Sequence, residues 1–485
     1  MSSLLLFFFV IAYFFLLMGV AWVTSRNATN ESFFIGNRNS NWMLVAFGMV
    51  GTSLSGVTFI SVPGAVGTTA FTYFQIILGQ FLGYFVIAFV LLPLYYRLNV
   101  TSIYHYLDVR LGRRAYKTGA AFFILSRTLG ATARLYLVVN ILQDAILDGL
   151  QVPFWLTALI IIVMILLYTY EGGVKTIVWT DTLQTTCMLL GLAICVAYLL
   201  DGLDLSLMES LSRLHDRGLS TIFSGDVNSD KFWLKQMLTG MFIAIAMTGM
   251  DQEMMQKNIS VRTLGDSQKN MIALSIIMLG VVLLFLFLGG LLYLYAPSVG
   301  VTAAGDRIFP AIVLGHLPAP VQVIFVIALI SALFPSADGA ITALTSSFCI
   351  DILGIKRRED MNDNQKKRLR QRVHLTFAAL FLLLIMAFKW ADNASMIGLI
   401  LKLASYTYGP LLGLFAFGIF TRRVVNDGFV PAIALAAPLI CYAIDRWQTA
   451  LFGDYQVGLE LLIINGAITF AGMWLISGKA RWPAR

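Results

Sequence analysis

Charged residues are scarce in this sequence. They make up 12% of its 485 residues, whereas hydrophobic residues make up 58%. A soluble domain carries about a quarter of its residues as Asp, Glu, Lys or Arg, because its surface has to be hydrated. The composition therefore excludes a soluble protein. Apolar runs long enough for spanning helices predict an all-α integral membrane protein rather than a β-barrel.

Residues for covalent or metal chemistry are also few. There are four cysteines, all in apolar runs without a CxxC spacing, and four histidines, in loops or near the ends of apolar runs. We expect neither a disulfide framework nor a zinc-type centre. The sequence has no nucleophile motif and no phosphate-binding glycine loop after a strand. We therefore expect no enzyme, no catalytic residue and no nucleotide-driven pump, and a membrane solute sensor is a distant alternative.

The net charge of +8 is unevenly distributed along the chain. Thirteen apolar runs are candidate spans: 4–24, 42–66, 71–96, 117–147, 153–170, 177–200, 232–255, 271–296, 319–350, 374–388, 394–420, 429–444 and 459–477. With the N-terminus outside, most of the 34 lysines and arginines, including "RLGRRAYK" and "KRREDMNDNQKKRLRQR", fall in inner loops. The positive-inside rule then predicts a cell-membrane protein with a cytoplasmic C-terminus. The basic charge indicates contact with the lipid bilayer rather than with nucleic acid, and we infer no obligate protein partner.

Two of the predicted spans contain features of a broken helix. One reads "GMVGTSLSGVTF" at 48–59, and the other reads "TGMFIAIAMTGMDQ" at 239–252. Interrupted helices at corresponding places in two halves of a chain are typical of a transporter with a binding site at the membrane midplane. Close packing of helices through small residues is the alternative explanation of the glycines.

The stretch "ALFPSADGAITALT" at 332–345 places Pro335 and Asp338 inside a long apolar run. Proline removes a backbone hydrogen bond, and a carboxylate at this depth is costly unless a cation or water meets it. Other ionisable residues in or near spans are Arg127, Arg134, Asp181, Asp251, Glu253 and Lys402, of which Asp251 and Glu253 are expected near an inner interface. Such residues are candidates for function by default; the alternative for Asp338 is a structural ion pair with Arg127, Arg134 or Lys402.

Five segments in order along the chain resemble the sodium/solute symporter family, which includes sodium-coupled transporters of glucose, proline, iodide and sialic acid. They are "SFFIGNRNSNWMLVAFGMVGTSLSGVTFISVPG" at 32–64, "LNVTSIYHYLDVRLGRRA" at 98–115, "GGVKTIVWTDTLQ" at 172–184, "GMDQEMMQKNIS" at 249–260 and "YTYGPLLGLFAFGIF" at 406–420. The resemblance implies a sodium symporter that imports a small organic solute by alternating access.

The resemblance also implies a division of the chain. Two inverted repeats of five helices would span 42–200 and 232–420, with two discontinuous helices among them. A leading helix and inner loop would occupy 1–41, an outer loop 201–231, and two trailing helices with a cytoplasmic tail 421–485. The resemblance implies no cofactor, and it implies Na⁺ as the coupling ion.

The resemblance implies two cation positions. A central sodium site would use carbonyl or hydroxyl groups of Gly51, Leu54, Ala332, Pro335 and Ser336. Pro335 departs from the family pattern, which has serine or threonine there, so the missing hydroxyl has to be replaced. A second site for a cation or a proton would contain Asp181, Asp338 and Gly339. Coupling to protons, alone or with sodium, through Asp338 and Asp181 is therefore the alternative to sodium coupling.

The residues expected to contact the solute are, by the same resemblance, Thr52, Ser55, Thr58, Gln80, Arg127, Arg134 and Met247. A hydroxyl-rich helix break beside an internal arginine suits a small anionic or polyhydroxylated solute, because a guanidinium group binds a carboxylate through two parallel hydrogen bonds. Met247 stands where sugar-transporting members carry an aromatic residue, which argues against stacking on a pyranose ring.

Overall fold

The computed structural model describes residues 3–25, 33–34, 36–170, 173–391 and 396–481. The motifs at 32–64 and 172–184, the predicted span at 394–420 and the C-terminal tail are therefore described only in part. The other motifs and all predicted site residues lie within the described ranges.

Helices form most of the described chain. In the first half they are α1 (Ser3–Thr24), α2 (Trp42–Ser53), α3 (Gly56–Thr69), α4 (Tyr73–Val86), α5 (Leu92–Arg97), α6 (His105–Arg110), α7 (Arg113–Leu142), α8 (Phe154–Thr169), α9 (Gly173–Gly202) and α10 (Leu207–Asp216). In the second half they are α11 (Trp233–Ala244), α12 (Gln252–Asn258), α13 (Leu264–Tyr295), α14 (Ile308–His316), α15 (Ala319–Ser347), α16 (Asp363–Ala391), α17 (Met396–Thr407), α18 (Gly409–Phe420), α19 (Val430–Arg446), α20 (Gln448–Phe452) and α21 (Leu461–Leu475).

The helices have the length and composition of membrane spans. Within the described residues, eight helices are long and apolar enough to cross a membrane, or ten if each of two bent pairs is one span. Two further apolar helices, α8 and α21, are shorter. The prediction of a helical membrane protein is confirmed, while the number of thirteen spans stays a prediction.

The predicted break in the first glycine-rich span is present. Helices α2 and α3 meet at a bend of 56° across Leu54 and Ser55. The second predicted break is also present: α11 continues into a π-helical turn at Ile245–Gly249 and ends before α12. The side chain of Asp251 caps α12 by accepting hydrogen bonds from the backbone N–H groups of Glu253 and Met254. A third bend of 43°, between α17 and α18, was not predicted.

Small residues bring the broken helix close to two long helices. Helices α2, α9 and α15 pack against one another. A methyl group on Gly51 of α2 would collide with the hydroxyl group of Thr185 on α9, and it would lie 3.6 Å from Cγ of Pro335 on α15. Glycine at 51 thus permits a close approach of three helices at the end of α2, where the central sodium site was predicted.

The all-α prediction misses one short element. Strands β1 (Arg423–Val425) and β2 (Ser477–Arg481) pair in antiparallel orientation, with Val424 opposite Gly478. The Arg423 side chain donates from Nε to Oγ of Ser477 at 2.7 Å and lies over the Trp474 ring. The pair is too short to produce the alternating pattern by which a strand is predicted from sequence.

Candidate solute and cation sites

A cavity opens at the break between α2 and α3. Its walls come from both halves of that broken helix and from α4, α7, α11, α13 and α17. All seven residues expected to contact the solute line it: Thr52, Ser55, Thr58, Gln80, Arg127, Arg134 and Met247. Tyr73, Ile397 and Leu401 line both this cavity and a second one, which we call the outer cavity because it extends toward Asp230 and Asp445 in predicted outer segments. The fold therefore brings the predicted solute residues together, while their roles stay predictions.

Arg134 presents an uncommitted guanidinium group to the cavity. It is a lining residue, and its guanidinium forms no hydrogen bond or ion pair with any residue that the structure describes. The charged groups that act on it are Arg127, another cation, and the carboxylates of Glu253 and Asp251, neither of which forms an ion pair with it. A guanidinium group carries five donors and stays charged, so an unpaired one in a membrane interior requires water or an anion. The geometry is suited to an anionic ligand.

Arg127 lies on the same helix but is already paired. Its Nε atom donates to Oε2 of Glu253 at 2.6 Å, and a second guanidinium nitrogen contacts the same oxygen. A third nitrogen lies 3.8 Å from Oδ2 of Asp251, which also accepts a hydrogen bond of 2.5 Å from Tyr408. Asp251 and Glu253 are buried, so the expectation that they reach an inner interface is wrong. The break before α12 turns this segment into the protein interior.

Lys257 joins the cavity to a buried cluster of charges. Its Nζ atom lies 2.6 Å from Oδ2 of Asp181 and 2.7 Å from the Thr52 hydroxyl, and 3.8 Å from Oε1 of Glu253. The Thr52 hydroxyl in turn donates to Oδ2 of Asp181 at 3.1 Å. Each of these side chains is buried, and Asp338 also attracts the ammonium group. A threonine of the solute cavity is thereby hydrogen-bonded into an ionic cluster.

Asp338 is not held by the cations considered from the sequence. Its Oδ2 atom accepts a hydrogen bond of 2.8 Å from the Tyr168 hydroxyl, and its Oδ1 atom accepts one from the backbone N–H of Gly339. Among the described residues no ion pair joins it to Arg127, Arg134 or Lys402. Arg127 instead pairs with Glu253, and Lys402 pairs with Asp445 at 2.7 Å. The Lys402 side chain is half-exposed and lines the outer cavity.

The segments that carry the residues predicted for the central sodium site are in contact where the break between α2 and α3 faces the middle of α15. A methyl group on Gly56 would lie 3.7 Å from Cα of Leu333, the neighbour of Ala332. Ser336 donates its hydroxyl hydrogen to the carbonyl of Leu333 at 2.8 Å, which leaves the lone pairs of its oxygen for another partner. Pro335 lies inside α15 without ending it, and it cannot donate to the carbonyl of Ser331 four residues earlier.

A model of the family described as "Sodium:solute symporter family" matches residues 33–435. This chain belongs to the sodium:solute symporter family. The prediction of a sodium-coupled solute symporter is therefore confirmed at the level of the family.

Relatives and solved structures agree with this assignment. The symporter is 24% identical over 483 residues to the sodium/sialic acid symporter SiaT of Proteus mirabilis, covering 94% of this chain and 92% of the relative. It is 25% identical over 442 residues to human sodium-coupled monocarboxylate transporter 1, covering 86% and 68%. A substrate-bound, outward-open structure of a Na⁺-coupled sialic acid symporter superposes with a TM-score of 0.83 at 18% identity, covering 98% of this chain and 99% of the other. At that identity the likeness shows the fold alone.

Sequence analysis did not single out two residues, Lys257 and Thr185, that lie beside the predicted cation positions. Lys257 follows Glu253 by four residues, which places both on one helix face, but the segment was assigned to the membrane edge. Thr185 is buried beside Gly51, and its hydroxyl has no hydrogen-bond partner among the described residues. Its spacing of four from Asp181 places both on one face of α9. Nothing in "TDTLQTT" distinguishes this threonine from its neighbours.

Proposed function

We propose that this symporter imports a small organic anion together with sodium, and that Arg134 binds a carboxylate of the solute. The observation that carries the proposal is the uncommitted Arg134 guanidinium in the cavity. The helix break adds to it, because Ser55 precedes α3 without a side-chain cap and the first N–H groups of α3 face the break. A helix N-terminus carries a partial positive charge that favours an anion.

The remaining lining residues suit a solute that also carries hydroxyl groups. Ser55, Thr58 and Gln80 offer hydroxyl and amide groups in the cavity. Thr52 is less available, since its hydroxyl is bonded to Lys257 and Asp181. Two of the relatives are named for sialic acid and for monocarboxylates, both of which are carboxylates. A sugar acid or a short hydroxy acid therefore fits the cavity better than a neutral sugar.

For the coupling ion, we propose a central sodium site at the contact of α2 with α15. Its ligands are the carbonyls of Gly51, Leu54 and Ala332 and the hydroxyl of Ser336. Thr185 replaces the hydroxyl that Pro335 lacks, because its buried oxygen stands against Gly51 and has no other partner among the described residues. Sodium is a hard cation, and carbonyl and hydroxyl oxygens are suitable ligands for it.

The architecture behind alternating access is also a proposal. The interruptions of α2–α3 and α11–α12 occupy the start of each predicted repeat, 42–200 and 232–420. Such breaks in corresponding helices are a feature of inverted-repeat transporters. We propose that these repeats rock around the cavity, with thirteen spans, the N-terminus outside the cell membrane and the C-terminus in the cytoplasm.

Uptake into proteoliposomes tests the proposal. An inward sodium gradient should drive uptake of a labelled sialic acid or short monocarboxylate, and choline should not replace sodium. Arg134→Ala should raise KM by about 100-fold, because losing a buried charge-assisted contact costs about 3 kcal/mol. Arg446→Ala, at an exposed position, is the matched control. Uptake that is equal in choline, or an Arg134→Ala protein with unchanged KM, would contradict the proposal.

Proton coupling is the second candidate function. Asp338 favours it, since this buried carboxylate has a tyrosine hydroxyl rather than a cation as its side-chain partner in the described chain. An inward proton gradient without sodium would then drive uptake, and Asp338→Asn would remove that response. Uptake that requires sodium at every pH between 5 and 8 would exclude proton coupling alone.

A further inference from the structure

The ammonium group of Lys257 lies at the position implied for a second coupling cation. That position was assigned to Asp181, Asp338 and Gly339. Lys257 Nζ lies 2.6 Å from Oδ2 of Asp181, and the Asp338 carboxylate also attracts it. A methyl group on Gly339 would lie 3.2 Å from the same nitrogen. A cation that is part of the chain therefore lies among the three residues that would hold a free one.

The surroundings of this ammonium group are those of a cation site. Three oxygens from three helices face it: Asp181 on α9, Thr52 on α2 and Glu253 on its own α12. The Lys257 side chain is 3% exposed and Asp181 is 0% exposed. Carboxylate and hydroxyl oxygens are also the groups that bind hard metal cations. The Lys257 ammonium group offers these oxygens three hydrogen-bond donors and a single positive charge.

Gly339 keeps the position open for the lysine. A side chain there would collide with the carboxylate of Glu253, which lies one helical turn before Lys257 on α12. Because Gly339 is in the middle of α15 and is fully surrounded, this contact fixes how closely α12 can approach α15. Glycine at 339 therefore allows Lys257 to come close to α15. We assign it this role rather than that of a ligand to a free ion.

A sodium ion cannot share this position with the ammonium group. Both would have to bind Oδ2 of Asp181, and two unit positive charges a few ångströms apart in a poorly hydrated interior repel strongly. The lysine is tethered to α12, so it does not dissociate into solution as a metal ion does. Occupancy by the lysine therefore excludes sodium from this position.

We propose that the Lys257 ammonium group permanently replaces the second coupling cation, so that this symporter binds a single sodium ion, at its central site. This inference rests on the proposed sodium symport. It predicts that removing the ammonium group exposes a latent sodium site formed by Asp181, Thr52 and Asp338. It also assigns Lys257 as a positioning residue, because its contact with Thr52 connects the cluster to the solute cavity.

Counting bound sodium tests the inference without knowledge of the solute. Equilibrium binding of ²²Na⁺ to the purified full-length protein should give one site per chain with a Hill coefficient near 1. Lys257→Met should give two sites, and Lys257→Met/Asp181→Asn should return to one. Lys269→Met, which changes an exposed lysine, should remain at one.

The outcomes separate this inference from the proposed function. Two sodium ions bound to the unaltered protein would overturn the inference and leave sodium symport intact. If the unaltered protein binds none, the sodium symport proposal fails, whereas a sodium ion gained by Lys257→Met would still support the lysine's role. If Lys257→Met does not fold, the count on the unaltered protein still tests the inference, because one bound sodium ion supports it and two overturn it. A folded Lys257→Met that gains no sodium would also overturn the inference.

Discussion

Two lysine–aspartate pairs in this symporter have nearly the same length and opposite surroundings. Lys257 Nζ lies 2.6 Å from Asp181, and the two side chains are 3% and 0% exposed. Lys402 Nζ lies 2.7 Å from Asp445, and these side chains are 55% and 18% exposed. The difference between the pairs is therefore hydration rather than geometry. A buried pair has lost its water and depends on both partners, whereas an exposed pair is hydrated and screened by salt.

The comparison shows which charges within a membrane protein indicate function. Lys257 of the buried pair contacts Thr52 in the wall of the solute cavity, and three carboxylates, Asp181, Glu253 and Asp338, attract its ammonium group. The exposed pair lines the wider outer cavity, where water can solvate either partner. Position within an apolar run did not separate these cases, because Lys402 was assigned to a span and Lys257 was not. Burial together with a shared set of oxygens separates them.

We expect the largest change in the free energy of unfolding when one partner of the buried pair is neutralised. Asp181→Asn leaves the Lys257 ammonium group without its closest counter-ion, and it should destabilise the fold by about 3–5 kcal/mol. Thermal unfolding in detergent measures this, with Asp445→Asn in the exposed pair as the matched control. Adding Lys257→Met to Asp181→Asn should recover much of the loss, because the ammonium group and its closest counter-ion are then removed together. Equal destabilisation by Asp181→Asn and Asp445→Asn would contradict the comparison.

A smaller effect should appear one helical turn along α9, at Thr185. Thr185→Val keeps the shape of the side chain but removes a buried hydroxyl that has no hydrogen-bond partner in the described chain. The melting temperature in choline should not change. Sodium affinity should fall about tenfold, which corresponds to about 1.4 kcal/mol for one oxygen ligand. Sodium titrations of the melting temperature measure both, and Thr186→Val is the control on the exposed face of the same helix. An unchanged sodium affinity would remove Thr185 from the central site.

Much of the fold could be predicted because the membrane imposes long apolar runs. The break at Leu54 and Ser55 was predicted from glycines and hydroxyl residues, which are weak helix formers, and it is present as a 56° bend. The bend before Gly409 was not predicted, although the Gly409–Pro410 pair is a local signal for one. The number of spans and the orientation of the chain stay predictions, because they depend on the bilayer as well as on helix length.

The candidate site was less predictable, because it depends on where short segments turn. Asp251, Glu253 and Lys257 lie in "DQEMMQK", whose charges end an apolar run and suggest a membrane edge. In the fold, a π-helical turn and a break at Met250 direct this segment inward, so all three side chains are buried. Lys402 is the opposite case. Its sequence neighbours are apolar, and the sequence gives no sign that its long side chain reaches the outer cavity.

The smallest effect is expected at the exposed pair. Lys402→Met should change the free energy of unfolding by about 0–1 kcal/mol, because both partners stay hydrated when the pair is lost. Whatever effect remains should decrease as salt is raised from 0.05 to about 0.5 M, since the screening length falls well below 10 Å. Thermal unfolding at the two salt concentrations measures this, and the same salt change should leave the loss caused by Asp181→Asn largely intact. A salt-insensitive loss of several kcal/mol in Lys402→Met would show that the outer cavity excludes water around this lysine, and the two pairs would then differ in position but not in hydration.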